Sequence, residues 1–168
     1  NKALSAEELN AESSTTALVD VARNRGAYTD LGNKTYKGDE MRLYPAWKAT
    51  DGDGHVKDTQ GVTTSYESRW YSSDRNDDFL MVDLGTERNI SKVVIDWAAG
   101  RYATNYNIQT SLNGTNWTTV KSITANESAW TEDTFTATKA RYVRMQGVQR
   151  KASEYGICEI KVYEAVDR

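Results

Sequence analysis

The 168-residue chain contains one cysteine, one proline and one histidine. A lone Cys158 can close no internal disulfide, so the fold rests on its core or on a bound ion. Cys158 sits in Gly156-Ile157-Cys158-Glu159-Ile160, which reads as the start of a strand. A small buried apolar residue fits there better than a nucleophile, because the one histidine, His55, lies far off in a polar loop. A single histidine also excludes His-rich zinc sites and gives Ser-His-Asp or Cys-His arrangements little support. There is no basic excess. Lys plus Arg is 21 against 24 Asp plus Glu, a net charge of −3, without the footprint of a nucleic-acid binder. No apolar run approaches a bilayer span, so no membrane partner is expected. A Gly-rich phosphate loop is missing too. Acidic residues cluster in turns and not as a strand-borne pair in an aromatic cleft, so glycoside hydrolysis is not indicated. The chain opens on Asn1 with no signal-like stretch, which points to a mature or excised segment.

What the chain has is tyrosine (10), tryptophan (5) and an alternating second half. Phe79–Leu84 is a short apolar strand closed by Gly85, and Lys92–Trp97 is another, closed by Gly100. Asn105–Ser111 alternates with period two into Asn113-Gly114, a hairpin turn signal. Strands are expected at Trp117–Ile123, Thr131–Ala137, Arg141–Gln146 and Ile157–Tyr163. Short strands at this spacing argue an antiparallel sandwich or barrel. Ala6–Val21 could hold a short helix or an irregular strand. Residues 23–67 are polar and weakly periodic; they read as long ordered loops at one end of the fold with one short hairpin. No repeat or linker interrupts the chain, and residues 1–168 read as one domain.

Two clusters carry chemistry. Asp51-Gly52-Asp53-Gly54 is a Gly-separated acidic pair in a turn, suited to the hard oxygen ligands calcium takes. It is not an EF-hand, whose fifth and sixth positions would here be His55 and Val56. Glu159 stands among apolar and aromatic strand residues, where a carboxylate needs a partner. Sugar recognition needs an aromatic face for the apolar side of a pyranose and arginine forks for its hydroxyls. Arg69 beside Trp70 and Tyr71, Arg75 in the Ser72–Asp78 loop, Arg101-Tyr102, and Arg150–Tyr155 supply such groups. Trp70, Trp97 and Trp117 are expected in the core, and Arg141 and Arg144 facing solvent. Trp130 could be an exposed sticky residue or a lid on the core; Trp47 and Tyr44 are further candidate platforms.

Taken together, Tyr44-Pro45-Ala46-Trp47-Lys48-Ala49-Thr50-Asp51-Gly52-Asp53, Ser68-Arg69-Trp70-Tyr71-Ser72-Ser73, Val82-Asp83-Leu84-Gly85, Tyr106–Ser111 with Asn113-Gly114 and Trp117, Arg141-Tyr142-Val143-Arg144-Met145, and Tyr155-Gly156 with Glu159–Tyr163 resemble the discoidin-like, coagulation factor type C domain. The bacterial branch, the family 32 carbohydrate-binding modules of glycanases, is the nearest in flavour. Residues 54–67 are an insertion relative to that pattern. The resemblance implies an all-β antiparallel β-sandwich (jelly-roll, galactose-binding-domain-like) with long loops at one end. It implies a structural Ca2+ held by the Lys48 and Cys158 carbonyls with Asp51, Asp53, Ser68 and Glu159. It places a sugar-stacking aromatic at Tyr155, exposed, with Arg69 beside it as the strongest partner and Arg75, Arg101, Arg150 and Glu154 around them. The function implied is non-catalytic carbohydrate binding by an extracellular bacterial module, monomeric and linked in cis to a glycan-active enzyme. Two other readings stand beside it: a discoidin-type adhesion or phospholipid-binding domain, disfavoured by polar loops and the absence of a disulfide, and a small stand-alone glycanase.

Overall fold

The computed structural model describes residues 17–29, 46–52, 55–57, 63–66 and 69–166. They form ten strands: β1 Ala17–Asp20, β2 Gly26–Thr29, β3 His55–Lys57, β4 Thr63–Tyr66, β5 Trp70–Tyr71, β6 Phe79–Trp97, β7 Ala103–Ser111, β8 Thr118–Ile123, β9 Trp130–Arg150 and β10 Gly156–Val166. A short 3-10 turn spans Ala46–Ala49. Every strand pair is antiparallel. The main sheet runs β1-β10-β6-β9-β7-β8, with β2 added to β6 and β5 to β10. The expected all-β antiparallel architecture is the one observed. β3 and β4 make a separate two-stranded sheet inside the 54–67 insertion, which is the short hairpin expected in the polar first half. The expected helix or strand over Ala6–Val21 is a strand where it is described, at Ala17–Asp20; residues 1–16 lie outside the described residues.

Two expectations need correcting. Phe79–Leu84 and Lys92–Trp97 are not separate strands but the two halves of β6; likewise Thr131–Ala137 and Arg141–Gln146 are halves of β9. Gly85 bends the strand instead of ending it: it sits at φ 85° and donates its N–H to Asp83 Oδ1 at 2.8 Å. The β6–β9 register shifts between Asp83 and Arg88 and again between Ile90 and Lys92. Such irregularities re-aim a strand, so β6 and β9 each serve two layers. One layer joins β2, the first half of β6, the second half of β9, β7 and β8. The other joins β1, β10, the second half of β6 and the first half of β9. Leu80, Val82, Ile108, Val143 and Met145 from the first meet Val93, Ile95, Trp97, Ile160 and Val162 from the second in one core.

Trp70 and Trp97 are fully buried, as expected. Trp97 donates its indole N–H to Thr131 Oγ1 at 2.9 Å and meets the Tyr106 ring edge-on at 5.3 Å. Trp117 is a correction: it is half-exposed, because it leads into the edge strand β8, where no neighbouring strand covers it. Arg144 lies on the outer face, as expected, but is half-buried, its guanidinium 4.1 Å from the Trp117 ring centroid. Trp130 is 43% exposed, which selects the surface reading over the lid. Cys158 is fully buried, and burial pushes its thiol up to about 12, in keeping with a packing role.

Tyr106 donates its hydroxyl to Asp133 Oδ2 at 2.6 Å, both inside the core. Burial raises the Asp133 carboxyl above its ordinary value, against the pull of that hydrogen bond. A carboxyl that holds its proton more tightly folded than unfolded adds stability that is complete below the unfolded value and is lost as pH rises through the folded one. Asp133→Asn keeps an acceptor for Tyr106 and removes this loss. Urea melts should show the variant gaining on the parent as pH rises above the ordinary carboxylate range. A difference that stays constant with pH would show that Asp133 titrates as it does in the unfolded chain.

Candidate functional site

Three loops close one end of the sandwich: 72–78 between β5 and β6, 98–102 between β6 and β7, and 151–155 between β9 and β10. Backbone hydrogen bonds lash them together. Ser72 N–H donates to Tyr155 O, Ala98 N–H to Gly156 O, Gly156 N–H to Arg101 O, Lys151 N–H to Tyr102 O and Gly147 N–H to Asp78 O, all at 2.9–3.1 Å. Asp78 is buried and shapes the first loop, accepting from Ser73 N–H, Ser73 Oγ and Phe79 N–H. Side chains on loops so pinned lose little further entropy on meeting a ligand.

At the centre is Tyr71. On β5, Trp70 turns into the core and the half-exposed Tyr71 to the opposite side. Tyr71 pairs with Gly156, where a Cβ would come within 2.7 Å of its ring. Glycine is required here for space, because the ring lies against the strand. The guanidinium groups of Arg69 and Arg101 each stand 5.1 Å from the Tyr71 ring centroid. Arg101 Nε donates to Glu154 Oε1, and Ser153 Oγ donates to the other oxygen of that carboxylate. Arg150 donates from Nε to Asn76 Oδ1 at 3.0 Å and from Nη1 to Ser153 O at 2.6 Å.

Two expected sugar ligands are therefore displaced. Tyr155 is fully buried, not exposed: its hydroxyl donates to Asn76 O at 2.5 Å and its ring packs on Gly147. Its neighbour Gly156 starts the buried strand β10, and period-two alternation does not govern the residue that turns the loop into it. Glu154 is 2% exposed; it orients Arg101 from below and does not reach outward. Arg69 and Arg101 are brought together, Arg150 fastens the adjoining loops, and Arg75 is exposed in an ion pair with Asp77 at 2.9 Å within its own loop. Sequence reasoning placed Tyr71 only as a neighbour of Arg69. The signal that finds it is the Trp70–Tyr71 alternation opposite a glycine. Trp47 is 53% exposed, as a platform requires, and Tyr102 packs against the core; Tyr44 lies outside the described residues.

Glu159 and the Asp51-Gly52 turn meet across the edge of β10. Gly52, at φ 77°, donates its N–H to both Glu159 carboxylate oxygens at 3.1 Å. Buried Ala46 and Ala49 anchor the preceding 3-10 turn that carries Lys48, and Thr50 Oγ1 donates to Arg25 O at 2.7 Å. Glu159 is 4% exposed. Burial first, then the charges of Asp51 and Asp20, push its carboxyl up to about 8 against the pull of Gly52 N–H and Lys161. A buried carboxylate facing like charges is complemented by a divalent cation with oxygen ligands, so the residues present fit calcium. Asp53 and Ser68 lie outside the described residues. Among the described residues no group of three or more His, Cys, Asp or Glu side chains is gathered, so carbonyls would complete the shell.

This combination of a two-layer antiparallel sandwich, an acidic turn against the last strand and a loop-borne Arg–Tyr cluster defines a class. The F5/8 type C domain family matches residues 28–161, and the chain belongs to that family. Chitosan-binding module 1 of a chitosanase/glucanase from Paenibacillus sp. IK-5, solved as a selenomethionine-labelled point mutant, is 30% identical, with a TM-score of 0.72 over 88% of this chain and 99% of that one. Module 2 of the same enzyme, solved with chitotriose, is also 30% identical, with a TM-score of 0.71 over 86% and 99%. The family 32 module of Clostridium perfringens NanJ, solved with galactose, shares the fold at 22% identity, with a TM-score of 0.68 over 88% and 100%. No curated protein matches the chain.

Proposed function

We propose that the chain is a non-catalytic carbohydrate-binding module that holds a glycan-active enzyme, joined in cis and secreted by a bacterium, on its polysaccharide. Tethering of this kind raises the enzyme's effective concentration at the substrate without tight binding by the module itself. The observation that carries the reading is the Tyr71 cluster. One half-exposed ring is flanked by the guanidiniums of Arg69 and Arg101, the latter fixed by the buried Glu154. Guanidinium forks pair with adjacent ring hydroxyls, and the tyrosine contributes apolar surface. Three of the nearby carboxylates are already committed: Glu154 to Arg101 and Ser153, Asp77 to Arg75, and Asp78 to Ser73 and Phe79. The relatives that bind chitotriose and galactose support the ligand class. Calcium, held by Asp51, Asp53, Glu159, the Ser68 hydroxyl and the Lys48 and Cys158 carbonyls, would neutralise the buried carboxylates and fasten the acidic turn to β10.

A glycan array followed by titration calorimetry on the best ligand tests this. Affinity should fall between micromolar and millimolar, about −4 to −8 kcal/mol. Arg69→Ala and Arg101→Lys, the second keeping the charge that Glu154 needs, should each weaken binding about tenfold or more, or about 1.4 kcal/mol. Reducing-sugar release should stay at background. No glycan retained on the array, or both variants binding like the parent, would sink the proposal.

A further inference from the structure

The outer face of the β2-β6-β9-β7-β8 layer carries a row of side chains in straight register across five strands. Tyr28 pairs with Met81, Met81 with Arg144, Arg144 with Gln109, and Gln109 with Thr119. Directly opposed residues in antiparallel strands share a face. The burial pattern agrees: Leu80, Val82, Val143, Met145 and Ile108 point inward between them. The row is ordered by its own hydrogen bonds. Arg144 Nε donates to Gln109 Oε1 at 2.8 Å, and Gln109 Nε2 donates to Thr119 Oγ1 at 3.0 Å. Arg144 is clasped by two rings, its guanidinium 4.1 Å from the Trp117 centroid and 5.0 Å from that of Phe79. Tyr28 is 43% exposed and lies over Gly26, where a Cβ would come within 2.8 Å of its hydroxyl.

The unusual element is the charge on Arg144. Arg141, on the same strand, is answered by Asp83 through two hydrogen bonds. Arg144 has no such answer. Among the described residues its only hydrogen bond goes to a neutral amide, and its two Nη groups have no acceptor. Desolvation lowers its pKa with no carboxylate opposing it. A half-buried guanidinium is held at a cost that ring contacts repay only in part. Its fork is the geometry that takes a carboxylate with two parallel hydrogen bonds. A planar amide, a hydroxyl and two aromatic rings flank it on the outer face, a suitable bed for pyranose rings and too polar for the core of a protein interface. Four strand spacings from Tyr28 to Thr119 come to about 19 Å, the reach of an oligosaccharide and not of one sugar.

We propose that this sheet face is a second glycan-binding surface, selective for chains that carry carboxylates, with Arg144 receiving a uronate carboxylate between Phe79 and Trp117. It does not depend on the Tyr71 cluster, and either site can fail without the other.

The test is an NMR titration of the chain with oligogalacturonate of four to six units, with cellotetraose as the neutral control. Oligogalacturonate should shift the Trp117 indole, the Gln109 side-chain amide and the Arg144 Nε signals, with an affinity that falls as salt is added. Cellotetraose should leave those three signals in place. Arg144→Gln should weaken this binding about tenfold or more. Shifts confined to the 72–78, 98–102 and 151–155 loops would overturn the proposal. So would an Arg144→Gln variant that loses melting temperature but binds oligogalacturonate like the parent, since the ring–guanidinium stack would then be structural only. Should Arg144→Gln fail to fold, the shift map on the parent and the conservative Arg144→Lys, expected to keep part of the affinity, decide the question. Failure of the loop-end variants to affect any glycan would bear on the Tyr71 cluster alone.

Discussion

Tyr155→Ala is expected to destabilise the domain by about 3–5 kcal/mol, the range for removing a buried aromatic side chain. For a domain of this size that lowers the melting temperature by roughly 10 °C or more. The residue is fully buried, its hydroxyl is tied to Asn76 O, and its ring lies where a side chain at Gly147 would collide with it. Truncation opens a cavity under the junction where the 72–78 and 151–155 loops meet. Sugar affinity should fall as well, because the lost hydroxyl holds Asn76 O in the 72–78 loop, and Asn76 in turn accepts from Arg150. Tyr155→Phe separates the contributions: it keeps the ring, loses one hydrogen bond and should cost about 1 kcal/mol. Thermal melts by circular dichroism are sufficient to tell them apart. A Tyr155→Ala variant that melts with the parent would return the residue to the surface.

Removal of the proposed calcium is expected to be the second large effect. A cation that binds only the folded chain stabilises it by mass action, about 4 kcal/mol at a free concentration a thousand times its dissociation constant. Excess chelator should then lower the melting temperature by roughly 10 °C, and calcium in excess over the chelator should restore it. Glu159→Gln, which keeps the shape of the side chain and most of its packing, should abolish the response. Parent melts that superimpose with and without chelator would remove calcium from the account. Glu159 is drawn into the sheet by β10, and Gly52 N–H is a single donor for both carboxylate oxygens.

How far the sequence could be read follows from which physical rule governs each segment. Period-two alternation is strong where one face of a strand is covered, and β7 was legible to within two residues for that reason; the edge strand β8 followed from the turn signal before it. The Asn113-Gly114 signal marked a real turn. The connection is longer than two residues, though, because the Asn113 side chain accepts from both Thr115 and Asn116 N–H and rounds the loop by itself. β6 and β9 were each read as two strands because a bulge looks like a terminus in one dimension; continuity is supplied by the partner strand. At the candidate site, the arginines and the acidic turn were legible from residue type and motif position. The exchange of roles between Tyr71 and Tyr155 was not. It is set by Gly147 and Gly156, which decide on which strand a ring can lie against the backbone.

The pairing of β1 with the far end of β10 has one more consequence. Ala17 stands opposite Val166, so the described chain enters and leaves the sandwich at one spot. The Tyr71 cluster sits at the other extremity of β10, opposite Gly156. The eleven residues of that strand separate the two by about 35 Å. Both ends of the described sandwich therefore lie at the pole opposite the arginines, and the loops that carry Tyr71, Arg69 and Arg101 face away from them.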